Sequence, residues 1–256
     1  MAAGRGRKVT TVLVVLVLVL FGLFLVGDRV AAYAASQELA SQAQQQMKQR
    51  DISTPSRPTA VIGGFPFLTQ VVRGRYDKVT IHAKDLSSQG VTIDTLDVTA
   101  TGINAKTNAL INGKGDITAD NVTGTARVGW AAVTSLIKKN GPGVDGLAVS
   151  ALPDGQIQMR TPVSVLGVST NVLATGTVRV SGSVVHVTVT RVQAQGGDVP
   201  PGLNSIIGSL KTALSVDLKI PALPYNLKIR SVQSTVEGIV VTAFAQNVAL
   251  ATHSGA

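Results

Sequence analysis

"YDKVTIHAKDLSSQGVTIDTLDVTATGI", residues 76–103, is the stretch that decides the fold. From Tyr76 the apolar residues fall at period two. Val79, Ile81 and Ala83 alternate with Lys78, Thr80, His82 and Lys84, which describes a strand with one wet face. In the next run Val91 and Ile93 are odd while Leu96 and Val98 are even, so a bulge is expected to shift the register near Thr95. Val- and Thr-rich runs follow at 157–194 and 225–250, with turn signals at "NGKG" (112–115), "SGS" (181–183) and Glu237–Gly238. No crossover helix separates neighbouring strands, so the pairing is antiparallel.

Two helical segments interrupt the strands. "WAAVTSLIKK", Trp130–Lys139, is stopped by "NGPG". After Pro200–Pro201, residues Leu203, Ile206, Ile207, Leu210 and Leu214 recur at helical spacing as an amphipathic stripe, and prolines suit its first turn. The expected fold is α+β, a long curved antiparallel sheet on amphipathic helices, in which a slightly opened space between sheet and helix would accept acyl chains.

The N-terminus adds an element of another kind. "VTTVLVVLVLVLFGLFLVG", residues 9–27, is 19 residues without a charge. As a helix it spans roughly 28 Å, about a bilayer's hydrocarbon core. Arg5, Arg7 and Lys8 precede it, which places residues 1–8 in the cytosol and the rest outside the cytoplasmic membrane. A cleaved signal peptide is the rival reading, because Ala32–Ala34 ("AYA") resembles a cleavage site, although the apolar run exceeds the roughly 7–15 residues usual there. Residues 28–55 continue as helix formers, with Ala35, Leu39, Ala43 and Met47 at i+4, until Pro55 and Pro58 end the run. This helix is either a spacer or a helix docked on the sheet; residues 56–252 form the binding domain.

Composition narrows the chemistry. The chain has no cysteine, which excludes thiolate metal sites and suits an exported domain stabilised by burial. From residue 36 onward there are 19 Lys/Arg and 13 Asp/Glu, a net +6. Nucleic acid is a poor fit, because the basic residues neither cluster nor alternate with aromatics. Anionic phospholipid or a polyanionic envelope glycan fits better. Gly141–Gly146 matches GxGxxG letter for letter, but a helix precedes it and a strand follows, the reverse of a dinucleotide site. His82, His186 and His253 are far apart and read as solvent-facing, and no serine sits in a G-x-S-x-G setting. No enzyme activity, cofactor or metal is expected.

"GGFPFLTQVVRGRY", residues 63–76, carries two of the three phenylalanines outside the apolar run. Gly63 and Gly64 allow a sharp turn and Pro66 stiffens it. In an extended segment Phe65 and Phe67 would project to one side. Leu68, Val71 and Val72 then mark one helical turn that Gly74 can end. Arg73 and Arg75 follow, suited to bidentate contact with a phosphate headgroup. The rings either plug the sheet's end or line an apolar site, and the arginines are either solvated or bind headgroups.

This segment, with "IPALPYNLKIRSVQSTVEGIVVTA" at 220–243 behind an N-terminal anchor, resembles the actinobacterial LmeA-like phospholipid-binding family over about residues 36–250. The resemblance implies an envelope protein that binds phospholipid rather than transforming it, with a role in envelope lipid or lipoglycan metabolism. The fold could then be similar to the tubular lipid-binding domains that wrap a sheet around a helix. Tyr225–Asn226 departs from the pattern, standing where a more apolar or glycine-containing pair is expected. The apolar lipid contacts expected are Phe65, Phe67, Leu68, Trp130, Leu203, Ile206, Ile207, Leu210 and Leu214, with Arg73 and Arg75 at an anionic headgroup. An assembly factor for an envelope glycosyltransferase, with a closed core and an unidentified protein partner, is the competing reading; a hydrolase with a cryptic site is a third.

Overall fold

The fold was read from a computed structural model, which describes residues 4–88, 90–106, 115–140, 146–165, 168–181, 184–195, 208–209, 211–212, 214–219 and 224–251. Its longest element is α1, Gly4–Gln49, in which the apolar run and the helix formers after it make one unbroken helix. Thr59–Gly63 (β1) leads through a turn to α2, Phe67–Arg73, and then to β2 (Arg75–Ser88), β3 (Val91–Asn104) and β4 (Ile117–Gly129). Helix α3, Trp130–Asn140, comes directly after β4. Next come β5 (Ala148–Ala151), β6 (Ile157–Val165), β7 (Val168–Ser181), β8 (Val184–Ala194) and β9 (Val216–Lys219). The chain returns through β10 (Lys228–Thr235) and β11 (Gly238–Ala251).

The strands form two antiparallel sheets, ordered β1-β2-β3-β4-β11-β10 and β5-β6-β7-β8-β9. The hairpin β10–β11 is last in sequence yet lies beside β4, which joins the chain's end to its beginning. The sheets meet where β10 approaches β7 and where Ser234 Oγ donates to the Gly155 carbonyl.

The alternation read from residues 76–103 runs across the whole first sheet. Val61, Thr80, Thr99, Thr123, Phe244 and Lys228 stand in register along one row, and His82, Asp97, Thr125, Thr242 and Ser231 along the next. That is the polar face. Intervening rows carry Ile62, Val79, Ala100, Val122 and Ala245, then Ala60, Ile81, Val98, Gly124, Ala243 and Ile229. The expected register shift near Thr95 does not occur, since Lys84 pairs Thr95 and Leu86 pairs Ile93 in one register; instead the ladder skips Asp85 opposite Asp94 on both strands, with Asp85 at φ 51°. Beyond that point burial changes phase, so that Ala83 and Leu86, not Ala83 and Asp85, face inward.

The sheets and helices enclose two cores. In the first, α1 and α2 cover the apolar face of the six-stranded sheet at the end where β1 finishes and β2 begins, burying Ala32, Ile62, Phe67, Tyr76, Ile103 and Val122. In the second, α3 and Leu214 lie against the five-stranded sheet, burying Val133, Ile137, Met159, Val189 and Leu214.

Candidate functional site

The segment 63–76 folds around a side chain from far away in sequence. Gly64 has φ 89°, and a Cβ there would collide with Asp77 and Gln70, so only glycine serves. The buried Gln70 bridges the two ends of this corner, donating from Nε2 to Gly63 O (3.2 Å) and accepting from Asp77 N at Oε1 (2.9 Å). Gly74, at φ 63°, ends α2 in the left-handed conformation, its N–H reaching back to Gln70 O and Val71 O. Pro66 opens α2 with no side-chain cap of its own. The cap comes from α1: Leu68 N donates to Asp28 Oδ1 at 2.8 Å. Arg29 completes the group, donating to Asp28 Oδ2 from NH2 (2.6 Å) and Nε (3.2 Å). Burial pushes the Asp28 carboxyl up, but the N–H of Leu68, the Arg29 guanidinium and the N–H of Phe67 outweigh it and hold the group below its ordinary value.

The two phenylalanines part company here, because α2 begins at the second. Phe67 is 5% exposed, its ring 6.3 Å from that of Tyr76 in the first core. Phe65 is 55% exposed, with the Arg29 guanidinium 4.9 Å above its ring. Leu68 is half-buried at the edge of the same core. The arginines also differ. Arg75 donates to Asp120 Oδ2 (2.9 Å) and Asn104 Oδ1 (3.2 Å) across the sheet. Arg73 is exposed at the end of α2.

Trp130 lies at the opposite end of the six-stranded sheet. It is half-buried at the start of α3 beside the second core, and its Nε1 donates to the Thr235 and Val236 carbonyls at 3.1 Å. Leu214 is 1% exposed in that second core. Leu203, Ile206, Ile207 and Leu210 lie outside the described residues. Phe65, Phe67 and Leu68 therefore do not share a site with Trp130 and Leu214; the length of a sheet separates the two groups.

Running on from the first core, which Ile81 and Val98 pack against, is an apolar surface that sequence reasoning does not assemble. Ala83, Leu96, Ala126, Val241 and Val232 stand side by side in register, next to the row Ile81, Val98, Gly124, Ala243 and Ile229. Leu96, Val98, Ala126, Val232 and Val241 are only half-buried. At its centre, no atom of the described residues other than Gly124's chain neighbours comes within 4 Å of where its side chain would begin. Five strands at about 4.8 Å spacing make this band roughly 20 Å long. A dry band of this length, floored by a glycine, offers dispersion contacts and no hydrogen-bonding group, which suits a hydrocarbon chain. The Leu96/Val98 alternation is visible in sequence. Its pairing with Val241 and Val232, some 140 residues later, is not.

Each sheet carries one histidine–aspartate pair, His82 on the six-stranded sheet and His186 on the five-stranded one. His82 Nδ1 lies 2.6 Å from Asp97 Oδ1, and His186 Nδ1 lies 2.7 Å from Asp217 Oδ1, both as cross-strand pairs. Among the described residues no three His, Cys, Asp or Glu side chains converge on a metal-binding position.

Among the described residues, then, the six-stranded sheet has one polar and one apolar face, the apolar face covered at both ends and half-buried between. The chain belongs to the LmeA-like phospholipid-binding family, whose match spans residues 26–244. No curated protein matches the chain, and no solved structure does.

Proposed function

We propose that the protein is a membrane-tethered, non-enzymatic phospholipid-binding module whose acyl-chain site is the half-open band on the six-stranded sheet. The observation that carries this reading is that, among the described residues, only chain neighbours approach a side chain begun at Gly124, in the middle of an apolar row five strands wide. Phospholipid is the ligand class of the family. The excess of basic residues favours an anionic headgroup, with Arg73 its candidate partner at the α2 end. Leu203, Ile206, Ile207 and Leu210 remain candidates for covering the band, and the role follows as support of envelope lipid or lipoglycan metabolism.

The tether is the apolar part of α1, with Arg5, Arg7 and Lys8 holding the N-terminus in the cytosol and the domain on the outer side. Two residues just past the apolar run support retention of this helix. Cleavage after Ala34 would remove Asp28, which caps α2, and Ala32, which is 8% exposed in the first core.

Mass spectrometry of lipid extracted from the purified full chain tests the function. Phospholipid is expected to co-purify at near-stoichiometric level, with anionic species enriched over the membrane's average. A lipid-free protein that also takes up none from vesicles would refute the proposal.

A further inference from the structure

The corner made by Phe65 and α2 is fixed to α1 at one particular height. Asp28 is the first residue after the uncharged run, one helical step of about 1.5 Å beyond Gly27. Its carboxylate is bonded directly to the N–H of Leu68. The first turn of α2 is therefore pinned within a few ångströms of the boundary where the spanning helix leaves hydrocarbon. The headgroup layer is roughly 5–7 Å thick on each side of a bilayer, and a helix with its side chains is about 10–12 Å across. A helix pinned at that height cannot stand clear of the layer.

The side chains at this corner suit such a place. Phe65 is 55% and Val72 87% exposed, apolar groups left on the outside of an element whose other residues Phe67 and Gln70 are buried. Arg29 lies over Phe65 while also contacting the Gly64 carbonyl, and Arg73 closes α2. An aromatic ring beneath a guanidinium is the pairing expected where one end is dry and the other faces phosphate. Asp28 is turned inward and neutralised by Arg29, which leaves the exposed Asp77, beside Gly64, as the carboxylate facing outward near Arg73.

We propose that Phe65 and Val72 are seated in the headgroup layer of the membrane that α1 spans, with Arg29 and Arg73 on lipid phosphates, so that the domain lies against the leaflet rather than swinging on a tether. This seating rests on the anchor reading of α1. It adds a second, peripheral membrane contact, and it fixes which end of the six-stranded sheet meets the leaflet.

The absence of cysteine allows a direct test. Single variants Leu18→Cys, Phe65→Cys, Val72→Cys and Val236→Cys of the full chain are spin-labelled and reconstituted in vesicles of mixed neutral and anionic phospholipid. The ratio of oxygen to nickel-chelate accessibility then reports depth. Leu18 marks the hydrocarbon core. Val236, 91% exposed at the β10–β11 turn, marks water. Ratios at 65 and 72 severalfold above that at 236, and below that at 18, are expected. If 18 is deep while 65 and 72 match 236, the seating is wrong and the anchor stands. Shielding of 65 and 72 from both reagents would mean that protein covers the corner, and also overturns the seating. A water-like ratio at 18 overturns anchor and seating together.

Discussion

Asp28 on the long N-terminal helix caps α2 through a 2.8 Å hydrogen bond from the backbone N–H of Leu68, forty residues away. One buried carboxylate thus ties the first element outside the apolar run to the segment that closes the main sheet. The folded protein holds this carboxyl below its ordinary value, so the unfolded chain takes up the proton first as pH falls. The contribution is complete above the ordinary carboxylate range and disappears as pH drops through the lowered value. Asp28→Asn is therefore expected to be less stable than the parent near neutrality, with the difference in melting temperature shrinking toward strongly acidic pH. A difference independent of pH would show that the charge is not what matters.

The two phenylalanines should separate cleanly in denaturant melts. Phe67→Ala empties a site packed on Tyr76 and is expected to cost about 3–5 kcal/mol. Phe65→Ala loses an exposed ring and one contact with a cation, about 0.5–1 kcal/mol. Similar costs for both would contradict their opposite burial.

Gly124→Leu is the sharpest probe of the apolar band. Its side chain would start from a strand position flanked by Val98 and Ala243 that no other described residue crowds, and no positive φ opposes a side chain there. Stability within about 1 kcal/mol of the parent, with a loss of most co-purified phospholipid by mass spectrometry, is expected. Undiminished lipid in a folded variant would move the site elsewhere.

Arg73 and Arg75 differ in what they are free to do. Arg75 is shared with Asp120 and Asn104, whereas Arg73 has no ion-pair partner among the described residues. Arg73→Ala should weaken binding to anionic vesicles by about 1 kcal/mol, more than Arg75→Ala does, and the gap should close as salt rises. Flotation assays at two ionic strengths would check this; equal losses for the two variants would argue against a headgroup role for Arg73 in particular.

Tyr225 accounts for the departure from the family pattern at 225–226. Tyr225 and Asn226 have φ 59° and 55°, the left-handed region where glycine is at ease and tyrosine is strained. The expectation of glycine there has a conformational reason. Tyr225→Gly should be tolerated, with a thermal shift no larger than about 1 kcal/mol in either direction, because relief of strain offsets the added freedom of the unfolded chain.

Local pattern sufficed for much of the architecture. The 19 uncharged residues, the period-two runs, the Trp130 helix and the Gly74 stop depend on side chains near one another in sequence, and periodicity reports them directly. The extension of α1 to Gln49 is legible in the same way. Its docked face is less so. Periodicity points to the apolar stripe Ala35, Leu39, Ala43 and Met47, yet the most buried line is Asp28, Ala32, Ser36 and Ala40. Small and polar residues on that line let the helix approach the sheet, with Ser36 accepting a hydrogen bond from Ile62 N, and hydrophobicity alone does not detect close approach.

The sequence by itself determined what kind of surface each strand would offer, one face wet and one dry, because alternation is a property of the single strand. Which dry faces would be covered was settled only by tertiary structure. β11 pairs with β4 rather than remaining with the strands that precede it, and that pairing sets Val241 beside Ala126 and Ala243 beside Gly124. The first core reaches Ile81 and Val98 in these rows and Ala83 and Ala243 are buried, while Leu96, Ala126, Val232 and Val241 stay half-buried. How far the described covering elements reach across these rows is a relation between distant segments that no local window contains.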